Sequence, residues 1–207
     1  MEQRNYMAEV QALIDLKWKE NPEEMKRIME ERKKESIKIN LMEKLNQELL
    51  IEMNKEYTEV DALKIKDLIE RGANVNTRDK WGLTPLHWAC DKNSIELTKM
   101  LIEKGANINA IDNDGYFPFY YLCDNNRENV EHAELILDMG FDPNSIDEFG
   151  SEMTPLHYAC LSNSLKIAKL LLEKGADLSF EDSHCRIPFD CCKTEEMRNL
   201  LMEYYKK

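Results

Sequence analysis

The chain has 207 residues, 43% of them hydrophobic, which is long enough for one continuous core, yet no apolar run approaches the roughly 20 residues that a bilayer span needs. A formal net charge of -12 repels phosphate backbones, which argues against nucleic acid as a ligand and for a protein partner with a basic or neutral surface. The first ten residues, MEQRNYMAEV, lack the basic start and apolar stretch of a secretory signal, so a cytoplasmic protein with no membrane segment is expected.

From residue 5 to 20, Met7, Val10, Leu13, Ile14 and Trp18 recur at three- and four-residue steps, the pattern of an amphipathic helix. Asn21 and Pro22 interrupt it: Asn21 suits an N-cap, Pro22 a first helical position, and Glu23 and Glu24 the positive end of the next helix. That next run passes through Met25, Ile28 and Met29, loses its apolar residues in ERKKES, and resumes with Ile37, Leu41, Leu45, Leu49 and Met53, so one long helix and two shorter ones are both open. The end of this run, 45–57, reads as the first helix of a divergent unit and 62–71 as its second, joined by a polar link at 58–61 and ending in IERGANVN (69–76).

The stretch 79–111 introduces a pattern that then repeats. A turn (Asp79, Gly82) precedes Thr84-Pro85-Leu86-His87, a short helix ends near Cys90, and a second helix, 94–104, stops at Gly105-Ala106-Asn107. Thirty-three residues on stand Asp112, Gly115, Pro118 and Cys123, then Gly140 and Asn144; further on come Asp147, Gly150, Thr154-Pro155-Leu156-His157 and Cys160, then Gly175-Ala176-Asp177. A partial copy starts at Asp182, with Ile187-Pro188-Phe189 in the Thr-Pro-Leu place. Each residue type has a physical task. Thr84 and Thr154 can cap a helix, the prolines fit a first turn where the missing amide costs nothing, and Gly72, Gly105, Gly140 and Gly175 can close a helix in the left-handed region. The apolar residues of the second helices, such as Leu97, Leu101, Leu165, Ile167 and Leu171, are too many for one helix pair to bury alone, so stacking of neighbours is required.

Period, turns and the T-P-L-H-x-A pattern together resemble the ankyrin repeat. The resemblance implies an all-α ankyrin repeat solenoid with an N-terminal helical extension: residues 1–40 as extension or cap, and 41–207 as the repeat domain, in units 41–78 (divergent), 79–111, 112–146, 147–181 and 182–207 (C-terminal cap). The extension reads first as a cap on the solenoid end, with a separate docking or dimerising helix as the alternative. Residues 1–57 carry 13 acids and 11 bases, leaving 27 acids against 17 bases in the repeats, a net of -10. The third unit departs from the pattern, with Phe117-Pro118-Phe119-Tyr120-Tyr121 where Thr-Pro-Leu-His-Trp stands earlier and two extra residues in its 124–130 link; the fourth has a lengthened turn at 151–153.

By the same resemblance, partners dock on turn tips and on the exposed face of each first helix. The positions are Lys80, Trp81, Leu83, Asp91 and Lys92; Asn113, Asp114, Tyr116, Asp124 and Asn125; and Glu148, Phe149, Ser151, Leu161 and Ser162, with His184 and Arg186 extending the strip. Trp81, Tyr116 and Phe149 are the expected anchors, because aromatics dominate interface hot spots. Trp88, Tyr121 and Tyr158 read as core between repeats.

Catalytic motifs are missing: there is no glycine-rich phosphate loop, G-x-S-x-G or H-E-x-x-H, so neither enzyme activity nor a cofactor is expected. His87 with Cys90, and His157 with Cys160, have a spacing compatible with a metal, but nothing is spaced to complete a tetrahedral site. His184, Cys185, Cys191 and Cys192 form a denser group that leaves a metal or redox sensor as a minor reading. His132 reads as a solvated helix residue, and Cys90, Cys123 and Cys160 as reduced core thiols. The main reading is an adaptor or scaffold; the alternatives are an inhibitor occluding a partner enzyme and an effector delivered to a host cell.

Overall fold

The first helix of the repeat domain has no start of its own. In the computed structural model, which describes residues 11, 14–55, 60–124, 130–147 and 151–206 and leaves out the side chain of Asp124, the helix α1 (Pro22–Met53) runs without a break through the charged ERKKES segment. It is one helix, not two. Asn21 stands at its start, where its Oδ1 accepts the Glu24 amide at 3.4 Å. The Thr-Pro-Leu-His sequence that begins later helices is absent here because this helix begins upstream and needs no cap at residue 45.

The chain divides into two compact units, Met1–Lys44 and Leu45–Lys207. In the first, residues 14–20 are helical and every side chain from 29 to 44 is exposed, including Met29, Ile37, Leu41 and Met42. In the second, the last turns of α1 supply Leu45, Leu49 and Met53 to the core, against Ile65 and Leu68 of α2 (Ala62–Glu70). Then follow α3 (Pro85–Asp91) and α4 (Ile95–Glu103), α5 (Tyr120–Asp124) and α6 (Val130–Asp138), α7 (Pro155–Ser162) and α8 (Leu165–Glu173), a 3-10 turn (Pro188–Cys191) and α9 (Glu195–Tyr205). Among the described residues there is no strand, and no helix is long and apolar enough to cross a membrane.

One apolar cluster runs from Leu45 to Leu201. Two first helices give it a large residue followed by two small ones: Leu86, Ala89 and Cys90 in α3, and Leu156, Ala159 and Cys160 in α7, all fully buried. The small residues let neighbouring helices approach, and the six cysteines are unpaired thiols, of which Cys185 alone is exposed. In the divergent third repeat Phe119 replaces leucine, and its ring stacks on Phe141 at 5.0 Å between centroids. The extra volume is thus filled within the repeat.

Polar clips tie successive units together on the side of the second helices. Gly105 closes α4 at φ +89°, and its carbonyl accepts Asn76 Nδ2 at 3.1 Å while Asn76 Oδ1 accepts the Asn107 amide at 2.7 Å. Asn144 makes the same pair of bonds to Gly175 and Asp177. His132 is not a solvated helix residue: it is fully buried, with Nε2 2.7 Å from Thr98 Oγ1 and Nδ1 3.1 Å from Asn93 Oδ1, and burial lowers its pKa to about 4. It bridges two repeats as a neutral imidazole.

Glu52 closes the divergent repeat. Its fully buried carboxylate accepts Lys55 Nζ at 2.8 Å and the Asp61 amide at 3.1 Å, and Lys64 Nζ lies 2.8 Å from its other oxygen. Burial alone would push this carboxyl up, but the three donors outweigh it and bring the pKa from 4.5 down to about 2. A depressed folded-state pKa gives stability that is present above the unfolded value and lost as the pH falls from 4.5 towards 2. Glu52→Gln should therefore cost about 1–3 kcal/mol at pH 7, and the gap from wild type in urea melts should close across that acid window. An unchanged gap at low pH would contradict the assignment.

Candidate protein-recognition surface

Each turn tip is built around one aspartate. Asp79 Oδ1 accepts the amides of Trp81 and Leu83, both at 2.9 Å; Asp112 Oδ1 accepts those of Asp114 and Tyr116 at 2.8 and 3.0 Å; Asp182 Oδ1 accepts those of His184 and Arg186 at 2.8 and 2.9 Å. The fourth repeat has a longer turn, and Asp147 spreads over it, taking the amides of Ser151, Glu152 and Met153. Short polar side chains that bond the amides following them make such turns without help from a sheet.

The second carboxylate oxygen reaches back to the first helix. Trp88 Nε1 donates to Asp79 Oδ2 at 3.1 Å, the Tyr121 hydroxyl to Asp112 Oδ2 at 2.7 Å, and the Tyr158 hydroxyl to Asp147 Oδ2. Burial and the carboxylate together push both phenols above their ordinary pKa, so they stay donors. The row Trp88, Tyr121, Tyr158 is thus only half core; its polar tips fasten the turns. In the last repeat Cys191 occupies the aromatic position, and Arg186 takes over, with Nε 2.8 Å from Asp182 Oδ2.

Two histidines carry the turns from one repeat to the next. His87 Nδ1 accepts the Thr84 amide at 3.0 Å and lies 2.8 Å from its hydroxyl, which leaves Nε2–H to donate to the Tyr116 carbonyl at 3.1 Å. His157 repeats this with Thr154 and the Arg186 carbonyl, at 3.1 and 3.0 Å. Burial holds both imidazoles below their usual pKa. Both nitrogens of each ring are therefore engaged, which accounts for the histidine in the motif without a metal. Among the described residues no group of three or more His, Cys, Asp or Glu could hold a metal ion. Cys191 and Cys192 are buried, whereas Cys185 and His184 are exposed.

The sequence-predicted positions fall into three kinds. Lys80, Trp81 and Asp114 stand exposed, with Lys80 Nζ 4.0 Å above the Trp81 ring and Trp81 edge-on to Trp88. Leu83 and Asp91 line a 230 Å3 hollow with Trp88 and Tyr121. A second kind is engaged in structure. Asn113 Nδ2 donates to the Lys80 carbonyl and its amide to the Trp81 carbonyl, joining adjacent tips; the Ser151 carbonyl takes the Ser183 amide in the same way; and Lys92 Nζ donates to the Lys55 carbonyl. Ser162 Oγ bonds the Tyr158 carbonyl, Leu161 is half-buried against the core, and His184 is exposed while Arg186 pairs with Asp182. Tyr116 is half-buried, stacked on Tyr120 at 4.2 Å and edge-on to Tyr158 at 5.8 Å. Tyr120 is the residue that replaced the third repeat's histidine, so aromatic packing there stands where the imidazole bridge stands elsewhere. Asn125, Glu148, Phe149 and the side chain of Asp124 lie outside the described residues.

Sequence reasoning missed two contributors to this face, Ile51 of α1 and Arg78 before the first tip. They share a hollow with Trp81. The signal was present as an apolar residue out of register with the buried Leu45, Leu49 and Met53, on a helix whose repeat signature is absent.

The turn, helix and clip now repeat with the period of the sequence pattern, and comparison with known proteins agrees. The family model described as ankyrin repeats in three copies matches residues 57–147, and the single ankyrin repeat matches 151–183. The chain belongs to the ankyrin repeat family. It is 46% identical over 79 residues, 38% of its length, to an ankyrin repeat and LEM domain-containing protein 1 homolog of Caenorhabditis elegans. It is also 47% identical over 51 residues, 25% of its length, to a putative ankyrin repeat protein of fowlpox virus, and 28% identical over 122 residues, 59% of its length, to one of Acanthamoeba polyphaga mimivirus. The matched stretch spans 11% of each of these three relatives. Ankyrin repeats are in general protein–protein interaction modules.

The geometry ranks substitutions. Tyr121→Phe removes one bond to a charged group and should cost about 1.5–3 kcal/mol; Asp112→Ala removes that bond and two amide partners and should cost more. Urea unfolding of the two variants checks the order, and equal stability of Asp112→Ala and wild type would refute it.

Proposed function

We propose that this protein is a non-enzymatic adaptor or scaffold, acting in the cytosol, that binds a partner protein through its turn tips and the exposed faces of its first helices. The observation that carries the reading is the way the tips are held. Each backbone turn is fixed by a carboxylate; the first three are tied to their own helices by an aromatic donor, the last is braced by Arg186 of the turn itself, and backbone bonds join Asn113 to Trp81 and Ser183 to Ser151 across neighbouring tips. Side chains carried on such turns lose little freedom when a partner binds, and preorganisation of this kind favours recognition. The acidic tips beyond the first, with Asp114, Glu152 and Glu181 exposed, fit a basic or neutral partner surface.

Site-directed photo-crosslinking tests the reading. A benzophenone side chain placed at Trp81, at Asp114 or, as a control, at Lys169 on α8 would be irradiated in source-cell lysate. A protein captured from Trp81 and Asp114 but not from Lys169 is expected. Capture from Lys169 alone would move recognition to the second helices and overturn the proposal.

A further inference from the structure

The strip is not uniformly acidic, and its first tip carries the opposite charge. Arg78 and Lys80 flank Trp81 there, and among the described residues neither cation has a carboxylate within 4.0 Å. Arg78 meets the neutral amide of Asn113 at 3.4 Å, and the carboxylate that lies nearest in sequence, Asp79, is turned inward with both oxygens bonded. Cations without a carboxylate partner are a local exception in a chain of net charge -12, and Lys80 Nζ meets the face of the Trp81 ring. Beside them the last turns of α1 present Ile51, 64% exposed, and Trp81 is 49% exposed. The two apolar side chains line an open hollow of 370 Å3 with Gln47, Leu50, Asn54, Arg78, Lys80 and Asp79, whose carboxylate oxygens are taken up by the Trp81 and Leu83 amides and by Trp88 Nε1.

We propose that this hollow is a docking site for an acidic peptide segment of a partner protein: an aliphatic or aromatic residue seated between Ile51 and Trp81, with flanking Asp or Glu side chains paired to Arg78 and Lys80. The chemistry follows from what is left unmet. Exposed apolar surface on Ile51 and Trp81 is removed from water by an apolar anchor. The guanidinium fork of Arg78 suits a carboxylate, and Lys80 adds a point charge on the same side. A basic segment would be repelled at this tip while being attracted by Asp114 and Glu152 further along, so the two ends of the strip read a partner's charge in opposite senses and set its direction. The proposal rests on the turn-tip reading above and narrows it to one segment class at one tip.

Panning a phage-displayed library of random dodecapeptides on the full chain tests it, with the selected peptides remade in fluorescent form for polarisation titrations. Lys80→Glu and Ile51→Asp alter exposed side chains, and each is first checked for an unchanged urea midpoint. The expected consensus has Asp or Glu on either side of an aromatic or aliphatic residue. Its affinity should fall about tenfold or more in each variant, weaken as salt is raised, and hold steady in Asp114→Lys. Selection of basic or neutral peptides, indifference to Lys80→Glu and Ile51→Asp, or no enrichment over an albumin control would each overturn the proposal. Peptides indifferent to those two changes but weakened by Asp114→Lys would overturn it while leaving the broader turn-tip reading in place. Peptides insensitive to all three changes would sink both.

Discussion

A carboxylate turned away from water is what the repeat array depends on. Asp112, Asp147 and Asp182 are nearly inaccessible, and each exchanges hydration for two or more backbone amides of its own turn. Hydrogen bonds to an ionised acceptor are the stronger kind, and a turn held by them needs no sheet to support it. The rest follows from where the second oxygen points. In the first three repeats it meets an aromatic N–H or O–H on the adjoining helix, which fastens turn to helix; in the last it meets the guanidinium of Arg186 within the turn.

Between repeats the same economy of donors recurs. A histidine that accepts its own cap amide has one N–H left, and that N–H reaches the next turn's carbonyl. Asn76 and Asn144 do the equivalent on the other side with one amide group each, giving and accepting at once. Since each unit touches only its neighbours, stability is shared along the chain. In the third repeat Tyr120 stands in the histidine's place and packs on Tyr116 and Tyr158.

The period and the Thr-Pro-Leu-His and Gly-Ala-Asn/Asp signatures made the helix pairs legible in the sequence, because cap and stop residues act locally. Second helices were placed within a residue or two at 62–70 and 95–103 for that reason. What depended on distant partners was not legible. His132 looked solvated because a lone histidine in a charged helix has no visible mate; Thr98 lies 34 positions away. Tyr116 and Trp81 were both expected as exposed anchors, yet Tyr116, which corresponds to Leu83, lies between Tyr120 and Tyr158, while Trp81, which corresponds to Asp114, stands exposed. The continuity of α1 through ERKKES was open because polarity there is compatible with both a solvated helix and a joint.

The proposal that the turn tips meet a partner protein rests on the tips being ordered before any partner arrives. Amide hydrogen exchange of the unbound protein at pH 7, resolved by residue, tests this most directly. The account predicts protection for the amides of Trp81, Leu83, Asp114, Tyr116, His184 and Arg186, although these lie in surface turns, because each is held by a carboxylate. Exchange of these amides at the rate of an unstructured chain would contradict it.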